Sequence, residues 1–447
     1  MILKKKLQNA EQVKKAVNTE LNSRGAQAHQ GDEKIIQAIT EQIAEQFRDE
    51  ISQTGFNDEV KNKIKSSISL ETEKQGLDYE NQKRIEYIVT TNVVGLGPLD
   101  VYMNDPEVTE IVVQRWDNIC IEKRGIMQKV DASFVDETQL LNVINRIVQP
   151  VNRQINLSTP MVDARLSNGS RVNATIPPVT PDGATLCIRK FSDNVLTGVD
   201  YIKIGSLNMN MLTFLAKCVE GRVSMIVSGG TSTGKTTLLN MLSQFVPENE
   251  LIITIEDSCE LKLNQPNVRR MEARNVVGEG MMKIDVQALV KNALRMRPDR
   301  IIVGEIRDGT IVDMMSAMST GHEGSMSTVH ANNPTNLMNS RMPILYSMNE
   351  SAQFSEESQN IQISEALQLV VHISRLKTGE RKITHITQVS GLMDDGRIKL
   401  DDIFVYNENS NDFEATGFVP KAIIKQAKTN GVVIDKNMFQ KVMREGE

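Results

Sequence analysis

The stretch GGTSTGKTT at residues 229–237 constrains the fold of this chain more than any other feature. A glycine, four further residues and the triplet Gly-Lys-Thr satisfy the pattern GxxxxGK[ST]. An apolar run at residues 223–227 precedes the pattern. The helix-forming sequence TTLLNML begins at its last residue, Thr236. Because a strand, a glycine-rich loop and a helix N-terminus together surround a phosphate with backbone N–H groups, the stretch predicts an α/β domain with a nucleotide site.

Each part of this loop has a chemical use. Lys235 is expected to neutralise the β- and γ-phosphates of ATP, and the Thr236 hydroxyl is expected to bind Mg²⁺. The predicted nucleotide-binding residues of the loop are Gly229, Gly230, Thr231, Ser232, Thr233, Gly234, Lys235, Thr236 and Thr237. ATP and Mg²⁺ are therefore the expected cofactors.

Composition narrows the class of protein. The net charge is −6 and aromatic residues make up 4% of the chain, which disfavours a nucleic-acid channel. The four cysteines lack CxxC spacing and predict reduced, mostly buried thiols. The start MILKKKLQNAEQ lacks the hydrophobic segment of a secretory signal, and no apolar run approaches a membrane-spanning length. We therefore expect a cytoplasmic protein that is able to dock on a membrane-embedded partner.

Periodicity suggests four segments. Residues 1–31 are polar and lysine-rich and predict a mobile N-terminus. Residues 32–95 predict a helical module for packing or docking, because apolar residues recur at helical spacing. Residues 96–200 predict a smaller α/β domain, in which SNGS forms the tip of a β-hairpin. Residues 201–447 contain the phosphate loop and alternate between strands and helices.

Two acidic clusters follow predicted strands beyond the phosphate loop. The sequence ELIITIEDSCEL ends in Glu256, Asp257 and Glu260. In PDRIIVGEIRD, a glycine occupies the slot where many nucleotide hydrolases have a magnesium-orienting aspartate, and Glu305 follows it. Glu305 is thus the expected organiser of magnesium and water, shared with one of the first three acids. The alternative is that these acids only cap the following helices.

Basic residues flank the second of these strands. We expect them either on the surface in salt bridges or in contacts between domains. They are Arg295, Arg297 and Arg300.

The segment TGHEGSMSTVHANNP contains two of the five histidines. It begins like an HExxH zinc motif, but Met326 stands where the second histidine belongs, which disfavours a metal site. GSMSTVHA predicts a short strand, followed by a helix capped near NNPT. His330 would then lie at the sheet edge where ligands collect, and would relay the state of the γ-phosphate to a moving domain. The alternative is a structural histidine.

The order of these elements resembles the secretion and pilus-assembly ATPase superfamily of type II and type IV secretion and type IV pili. GGTSTGKTT is similar to its Walker A loop, TIEDSCEL to its Asp box, RMRPDRIIVGEIRD to its atypical Walker B and TGHEGSMSTVHANNP to its His box. PMVDARLSNGSRVNATIPP, IRKF and VVHISRLKTGERKITHITQV are similar to the CpaF-type branch of Tad/Flp pilus ATPases. The resemblance extends from about residue 90 to the C-terminus. Asp308 departs from the glycine that is common after GEIR in relatives.

This resemblance implies a homohexameric ring in which ATP lies between a smaller, PAS-like α/β domain and a RecA-like P-loop motor domain. It also implies that arginines of the first domain, or of a neighbouring subunit, complete the site, and it leaves open which of them does so. The matching positions are Arg165, Arg171 and Arg189 in the first domain and Arg270 and Arg274 after the Asp box. An arginine at the developing phosphoryl charge accelerates hydrolysis by about 10³–10⁵-fold.

The sequence therefore predicts a Mg²⁺-dependent ATPase motor, docked on the inner face of the cytoplasmic membrane. Its expected partners are further copies of itself, a polytopic platform protein of the inner membrane and, indirectly, pilin subunits; no nucleic acid is expected. The rival functions are a DNA translocase or conjugation-system ATPase with the same core, and a scaffold that binds ATP without hydrolysing it.

Overall fold

A computed structural model describes residues 30–47, 50, 58–123, 125–191, 195–274, 282–349 and 354–441. The predicted mobile N-terminus thus lies outside the described residues, except for its last two positions. The chain divides into two compact units, Met1–Ser192 and Asp193–Glu447. This division falls a few residues before the boundary that we placed between residues 200 and 201. Among the described residues, no helix has the length and apolar character needed to cross a membrane.

The first unit begins with three helices. They are α1 (Gln30–Gln46), α2 (Asp58–Lys74) and α3 (Tyr79–Val94). Their apolar faces meet in a cluster that includes Ile39, Ile43, Ile64 and Ile85. Asp78 caps α3 by accepting a hydrogen bond from the backbone N–H of Asn81, which fixes where this helix begins. These three helices lie within the stretch for which the four-residue spacing predicted helices.

The rest of the first unit is a six-stranded antiparallel sheet with helices beside it. Its elements are a 3₁₀ turn (Gly97–Leu99), α4 (Asp100–Asn104), β1 (Val108–Arg115), β2 (Asn118–Lys123), β3 (Ile126–Lys129), α5 (Glu137–Val148), a 3₁₀ turn (Gln149–Val151), β4 (Met161–Arg165), β5 (Arg171–Thr175) and β6 (Thr185–Arg189). The strand order is β3-β2-β1-β6-β5-β4. The β4–β5 hairpin has the predicted SNGS turn at its tip.

The second unit contains the phosphate loop. Its elements are α6 (Gly198–Lys203), α7 (Met209–Glu220), β7 (Met225–Gly229), α8 (Lys235–Ser243), β8 (Ile252–Glu256), β9 (Val268–Glu272), α9 (Val286–Ala293), β10 (Arg300–Val303), α10 (Thr310–Ser319), β11 (Met326–His330), α11 (Pro334–Asn336), a π-helical turn (Leu337–Arg341), α12 (Met342–Ser347), α13 (Glu356–Ala366), β12 (Leu369–Arg375), β13 (Arg381–Leu392), β14 (Ile398–Asn407), β15 (Asp412–Ala415), α14 (Lys421–Thr429) and a 3₁₀ turn (Lys436–Phe439).

These strands form one sheet in the order β15-β14-β13-β12-β7-β11-β10-β8-β9. The pairs from β12 to β9 are parallel, and those from β12 to β15 are antiparallel. Alternate residues of β7 supply two separate cores, because Met225 and Val227 pack on one face and Ile226 on the other. A parallel sheet covered on both faces, with the phosphate loop after a central strand, confirms the predicted α/β motor-type fold.

Arg300 corrects one expectation. We expected it on the surface or between domains, but its side chain is fully buried and paired with Glu250 inside the second unit. Its Nη1 also donates to the carbonyl of Gly324 at 3.3 Å. Because burying an unpaired guanidinium is very costly, this partner is what permits an arginine at the start of β10.

The cysteines correct a second expectation. All four are free thiols, as expected, but only Cys218 is buried, and the other three are partly exposed. The prediction of mostly buried thiols was therefore wrong.

Candidate nucleotide site

The phosphate loop leaves β7 at Gly229 and enters α8 at Lys235. Two residues of the loop have positive φ, 58° at Ser232 and 94° at Gly234. Gly229 has a packing reason to lack a side chain, since a β-carbon there would come within 2.3 Å of the Ile373 carbonyl oxygen. The backbone thus curls as the sequence pattern predicted, and it places the N-terminus of a nine-residue helix at the loop.

Lys235 is held inside this loop. Its Nζ donates to the carbonyl of Gly230 at 2.8 Å and lies 3.2 Å and 3.3 Å from the two ring nitrogens of His330. Thr233 Oγ1 donates to the same carbonyl at 3.0 Å. The lysine is 7% exposed, so its charge is presented at a fixed place. Thr236 follows it in the first turn of α8 and is half-buried.

The sheet brings His330 and Glu305 to the same place. β11 pairs with β7 so that His330 is opposite Gly229, and β10 lies on the other side of β11. Glu305 Oε1 lies 2.8 Å from His330 Nε2, and Oε2 accepts a hydrogen bond from Arg307 Nη2 at 2.5 Å. Oε1 is buried but accepts no hydrogen bond from any described residue. Oε1 is therefore a buried acceptor with the His330 ring directly beside it.

The charges of this cluster decide its protonation. Burial alone would raise the pKa of Glu305, but Arg307, His330 and Lys235 outweigh it and hold the pKa below the usual range. Burial and the positive charge of Lys235 lower the pKa of His330, against the opposing effect of Glu305. At neutral pH, Glu305 is thus an anion and His330 a neutral ring, so their contact is not a salt bridge.

Glu256 has a different environment. Its side chain is 3% exposed, and Oε2 accepts hydrogen bonds from the backbone N–H groups of Glu260 at 2.7 Å and Leu261 at 3.0 Å. Burial raises its pKa to about 7, although the two N–H groups oppose this. A β-carbon at residue 304 would lie 2.9 Å from Glu256 Cγ, which explains why glycine fills the aspartate slot before Glu305. Glu256 therefore holds the loop after β8, a role close to the capping alternative.

The other acids and arginines that the sequence predicted for the site in the second unit lie nearer the surface. Asp257 is exposed and Glu260 half-buried, and both act electrostatically to raise the pKa of Arg307. Arg270 is exposed on β9, and its charge opposes the raised pKa of Glu256. Arg274 lies just beyond β9 and donates to the carbonyl of Met282 at 3.2 Å. The structure thus gathers these groups around β8 and β10, with Arg274 directed to a neighbouring loop.

The three arginines predicted from the first unit lie in one row across its sheet. Arg165 on β4 is opposite Arg171 on β5, and Arg171 is opposite Arg189 on β6. The row continues to Glu110 on β1. Directly opposed residues point to the same face, so this row concentrates positive charge at one place of the sheet.

Two further residues of the second unit were missed. Arg307 was only part of a quoted motif, yet it is the closest cation to Glu305. Arg381, at the start of β13, donates from Nε to the carbonyl of Ser232 at 3.3 Å and packs its Cδ beside Gly234. A local pattern of alternating residues cannot reveal which strand lies beside the phosphate loop, so the sequence carried no signal for Arg381.

Comparison with known proteins shows which family the chain belongs to. A sequence model described as "Type II/IV secretion system protein" matches residues 92–446. The chain belongs to this family. The match begins near the point where the predicted resemblance began, and it confirms the recognition of the superfamily.

Two relatives and one solved structure show how similar this chain is to individual proteins. An uncharacterized protein of Methanocaldococcus jannaschii is 42% identical over 242 residues, which are 52% of this chain and 34% of that protein, so the chain spans about a third of this relative. The conjugal transfer protein TrbB of Rhizobium radiobacter is 28% identical over 298 residues, 66% of this chain and 87% of its own. Among solved structures, the VirB11 ATPase of the Brucella suis type IV secretion system is 26% identical, with a TM-score of 0.36 over 65% of this chain and 91% of its own.

Proposed function

We propose that this secretion-system protein is an ATPase whose phosphate loop, Glu305 and His330 form one hydrolytic site. The observation that carries the proposal is the contact of Lys235 Nζ with the His330 ring, together with the 2.8 Å approach of that ring to Glu305. A loop lysine, a neutral histidine and a carboxylate thus converge at the carboxyl ends of three adjacent strands. Phosphoryl transfer needs this combination of positioning and charge.

The residues present suit a magnesium ion. Thr236 at the start of α8 and Glu305, whose buried Oε1 accepts no hydrogen bond from the described residues, would hold it, and both supply hard oxygen ligands of the kind that Mg²⁺ prefers. When bound, the ion neutralises charge that develops on the phosphates. Glu305, anionic because its pKa is lowered, would accept a hydrogen bond from the attacking water.

The remaining predicted residues surround this pair. Asp257 and Glu260 would help to orient Arg307, and Glu256 would keep the loop that carries them in place. His330 would respond to the γ-phosphate, because it contacts the lysine that binds that phosphate. The nucleotide would add a negative charge beside the ring and raise the pKa of His330 from its lowered value.

An arginine completing the site is also proposed. The candidates from the first unit are Arg165, Arg171 and Arg189, which the family resemblance marks and which lie opposite one another on β4, β5 and β6. Arg270 and Arg274 remain the candidates from the second unit.

A further part of the proposal is the assembly in which the ATPase acts and the process that it drives. We infer a homohexamer of the Tad/Flp branch that docks on a platform protein of the inner membrane and, through it, drives pilin assembly from the cytoplasmic side. Support comes from membership of the secretion family. It also comes from the similarity of residues 160–178, 188–191 and 370–389 to that branch. Closure between nucleotide states would supply the motion.

Two substitutions test the enzyme. Lys235→Ala removes the charge inside the loop and is expected to weaken ATP binding at least tenfold in equilibrium titration. Glu305→Gln should bind ATP like the unchanged protein but turn it over about 100-fold more slowly, since only the anion orients water. Glu323→Gln, an exposed carboxylate on the same His-box segment, is the matched control and should behave normally. Near-normal turnover in Glu305→Gln would refute its assignment.

A conjugation motor is the second candidate, favoured by the similarity to the conjugal transfer protein TrbB. It predicts that DNA stimulates hydrolysis. Cross-linking of Glu305→Gln with ATP in its native cells separates the two machines: platform and pilin-like proteins support pilus assembly, whereas DNA with its processing proteins supports conjugation.

A further inference from the structure

A large cleft lies within the first unit. It opens between helices α1 and α3 on one side and α5 with strands β2 and β3 on the other. Its volume is about 1230 Å³, which is above the roughly 300–1000 Å³ of pockets that hold small molecules. Among the described residues that line it, none is one of those predicted for the nucleotide site. The cleft is therefore a candidate site of its own.

The sequence of α5 explains one wall of the cleft. Thr138, Asn142 and Arg146 recur at four-residue spacing, so they share one face of this helix, and all three line the cleft. The opposite face packs into the core beneath the six-stranded sheet through Leu140, Val143, Ile144 and Ile147. A polar stripe on such a helix normally faces water. Here two nitrogens of its last member, Arg146, are buried instead.

Arg146 is a partly buried cation without a hydrogen-bond partner among the described residues. Its buried Nε and Nη2 donate to none of them. Burial lowers the pKa of Arg146 to about 10, and the negative charge of Asp100 opposes this only in part, so the guanidinium is still charged at neutral pH. Because buried N–H groups without an acceptor are costly, an anion bound in the cleft would stabilise this arrangement.

The unpaired edge of Arg146 has a defined shape. Nε and Nη2 lie on the same side of the guanidinium group and can donate two parallel hydrogen bonds. The same two nitrogens of Arg115 hold both carboxylate oxygens of Asp117, at 2.5 Å and 2.7 Å. The edge that Arg146 leaves unpaired therefore fits a carboxylate or a phosphate.

The charges of the wall limit how many anionic groups the ligand has. Lys123 also lines the cleft, but it is already paired with Asp105 at 3.1 Å and with Glu107 at 2.9 Å. Several carboxylates share the wall with these cations, namely those of Glu41, Asp105, Asp131 and Asp136. Like charges facing one another are unfavourable, so a ligand with a single anionic group fits better than a polyphosphate.

The aromatic residues of the wall indicate what the rest of the ligand is. They are Tyr87, Tyr102, Trp116 and Phe134. Trp116 and Phe134 are joined through their backbones, because the Phe134 N–H donates to the Trp116 carbonyl at 2.8 Å. Aromatic rings supply large apolar contact surfaces that favour flat groups. A flat apolar body next to the anionic group would therefore suit this cleft.

We propose that the cleft binds a small molecule with one carboxylate or phosphate group, held by Arg146, and a flat apolar body, held by the aromatic residues. This site goes beyond the proposed ATPase function, and its occupancy is measurable without turnover. The competing explanation is that Arg146 only complements the dipole at the C-terminal end of α5. That role does not require two buried nitrogens without acceptors.

Trp116 gives a direct measure of occupancy, because it is the only tryptophan of the chain and lies in the wall of the cleft. Phenylacetate and phenyl phosphate are the anionic probes, and phenylacetamide is the neutral analogue of the first. We expect either anion to change the tryptophan fluorescence of the full chain saturably, and phenylacetamide to bind at least about tenfold more weakly. The tighter of the two anions shows whether the site prefers a carboxylate or a phosphate.

Substitutions of Arg146 test its part in binding. Arg146→Met removes the charge at similar length and should weaken phenylacetate binding at least about tenfold, whereas Arg146→Lys, which keeps the charge but not the two-nitrogen edge, should weaken it about threefold. Arg153→Met is the matched control, since Arg153 does not line the cleft and donates to the carbonyl of Asp163. Arg146→Met should also keep or raise the Tm, because it removes a buried charge.

Three results would overturn the proposal. They are equal affinities for phenylacetate and phenylacetamide, equal affinities of Arg146→Met and Arg153→Met, and the absence of a saturable change with both anions. A lower Tm of Arg146→Met with unchanged probe affinity would show that the arginine only stabilises the fold. A fluorescence change with an acidic peptide but with neither small anion would also overturn the assignment, and would indicate a protein partner instead.

Discussion

Two glutamates at the carboxyl ends of β8 and β10 differ because of their surroundings. Glu305 faces Arg307 and Lys235 and stays ionised, whereas Glu256 faces backbone N–H groups in a buried loop and titrates near neutrality. Two acids of the same type thus differ in protonation, which supports the proposed chemical role for Glu305 and a structural role for Glu256.

Glu256 should make stability depend on pH. Its folded pKa of about 7 lies above its ordinary value of 4.5, so the folded state binds more protons between these values. The stability that this group contributes is fully present below pH 4.5 and is lost as the pH rises through 7, by on the order of 3 kcal/mol. Glu256→Gln keeps an acceptor for the two N–H groups and should flatten this slope in thermal unfolding from pH 5 to pH 8. An unaltered slope would contradict the assignment.

The buried pair of Arg300 and Glu250 should be strongly coupled. Arg300→Met leaves Glu250 paired only with Arg222, and we expect a loss of about 3 kcal/mol of unfolding free energy. Adding Glu250→Gln removes the buried charge and should restore roughly half of the loss. Urea unfolding of both variants and of Glu250→Gln alone completes the cycle; additive losses would show that the pair is not coupled.

At the scale of elements, the sequence predicts what is local. The loop at residues 229–237, the strands ending at Glu256 and Val303, and the short strand before His330 all follow from patterns within about ten residues. What it cannot predict is pairing across long stretches of chain. β12 joins β7 in parallel with some 140 residues between them, and this places Arg381 and His372 at the site. The burial of Arg300 was missed for the same reason, since Glu250 is fifty residues away.

The β12–β13 hairpin should contribute to nucleotide binding through Arg381. Its side chain lies along the phosphate loop, and within the described residues it makes no salt bridge to a carboxylate. Arg381→Ala should weaken ATP binding roughly fivefold, corresponding to about 1 kcal/mol. Lys377→Ala, an exposed cation in the turn of the same hairpin, is the control. Equal affinities in the two variants would exclude a contribution from Arg381.

At the scale of the whole molecule, each unit has its own cores. The first contains the helical cluster and the cluster beneath its six-stranded sheet, and the second has one core on each face of its nine-stranded sheet. Units with separate cores can unfold separately.

Calorimetry should therefore resolve two transitions. A non-hydrolysable ATP analogue at 100 times its Kd should stabilise the second unit by about 2.7 kcal/mol and raise its transition. Lys235→Ala should abolish the shift. A single transition that moves as a whole would indicate that the units unfold as one.

The Arg300–Glu250 pair also limits how this sheet can change over evolutionary time. A first substitution at either position leaves a charge without its counterpart in the interior, so it lowers fitness before a second one can compensate. Gly324 is constrained by the same pair, because a β-carbon there would lie 2.7 Å from Arg300 Nη1. We expect the three positions to be inherited as a set, with lineages that lose one having replaced the others too.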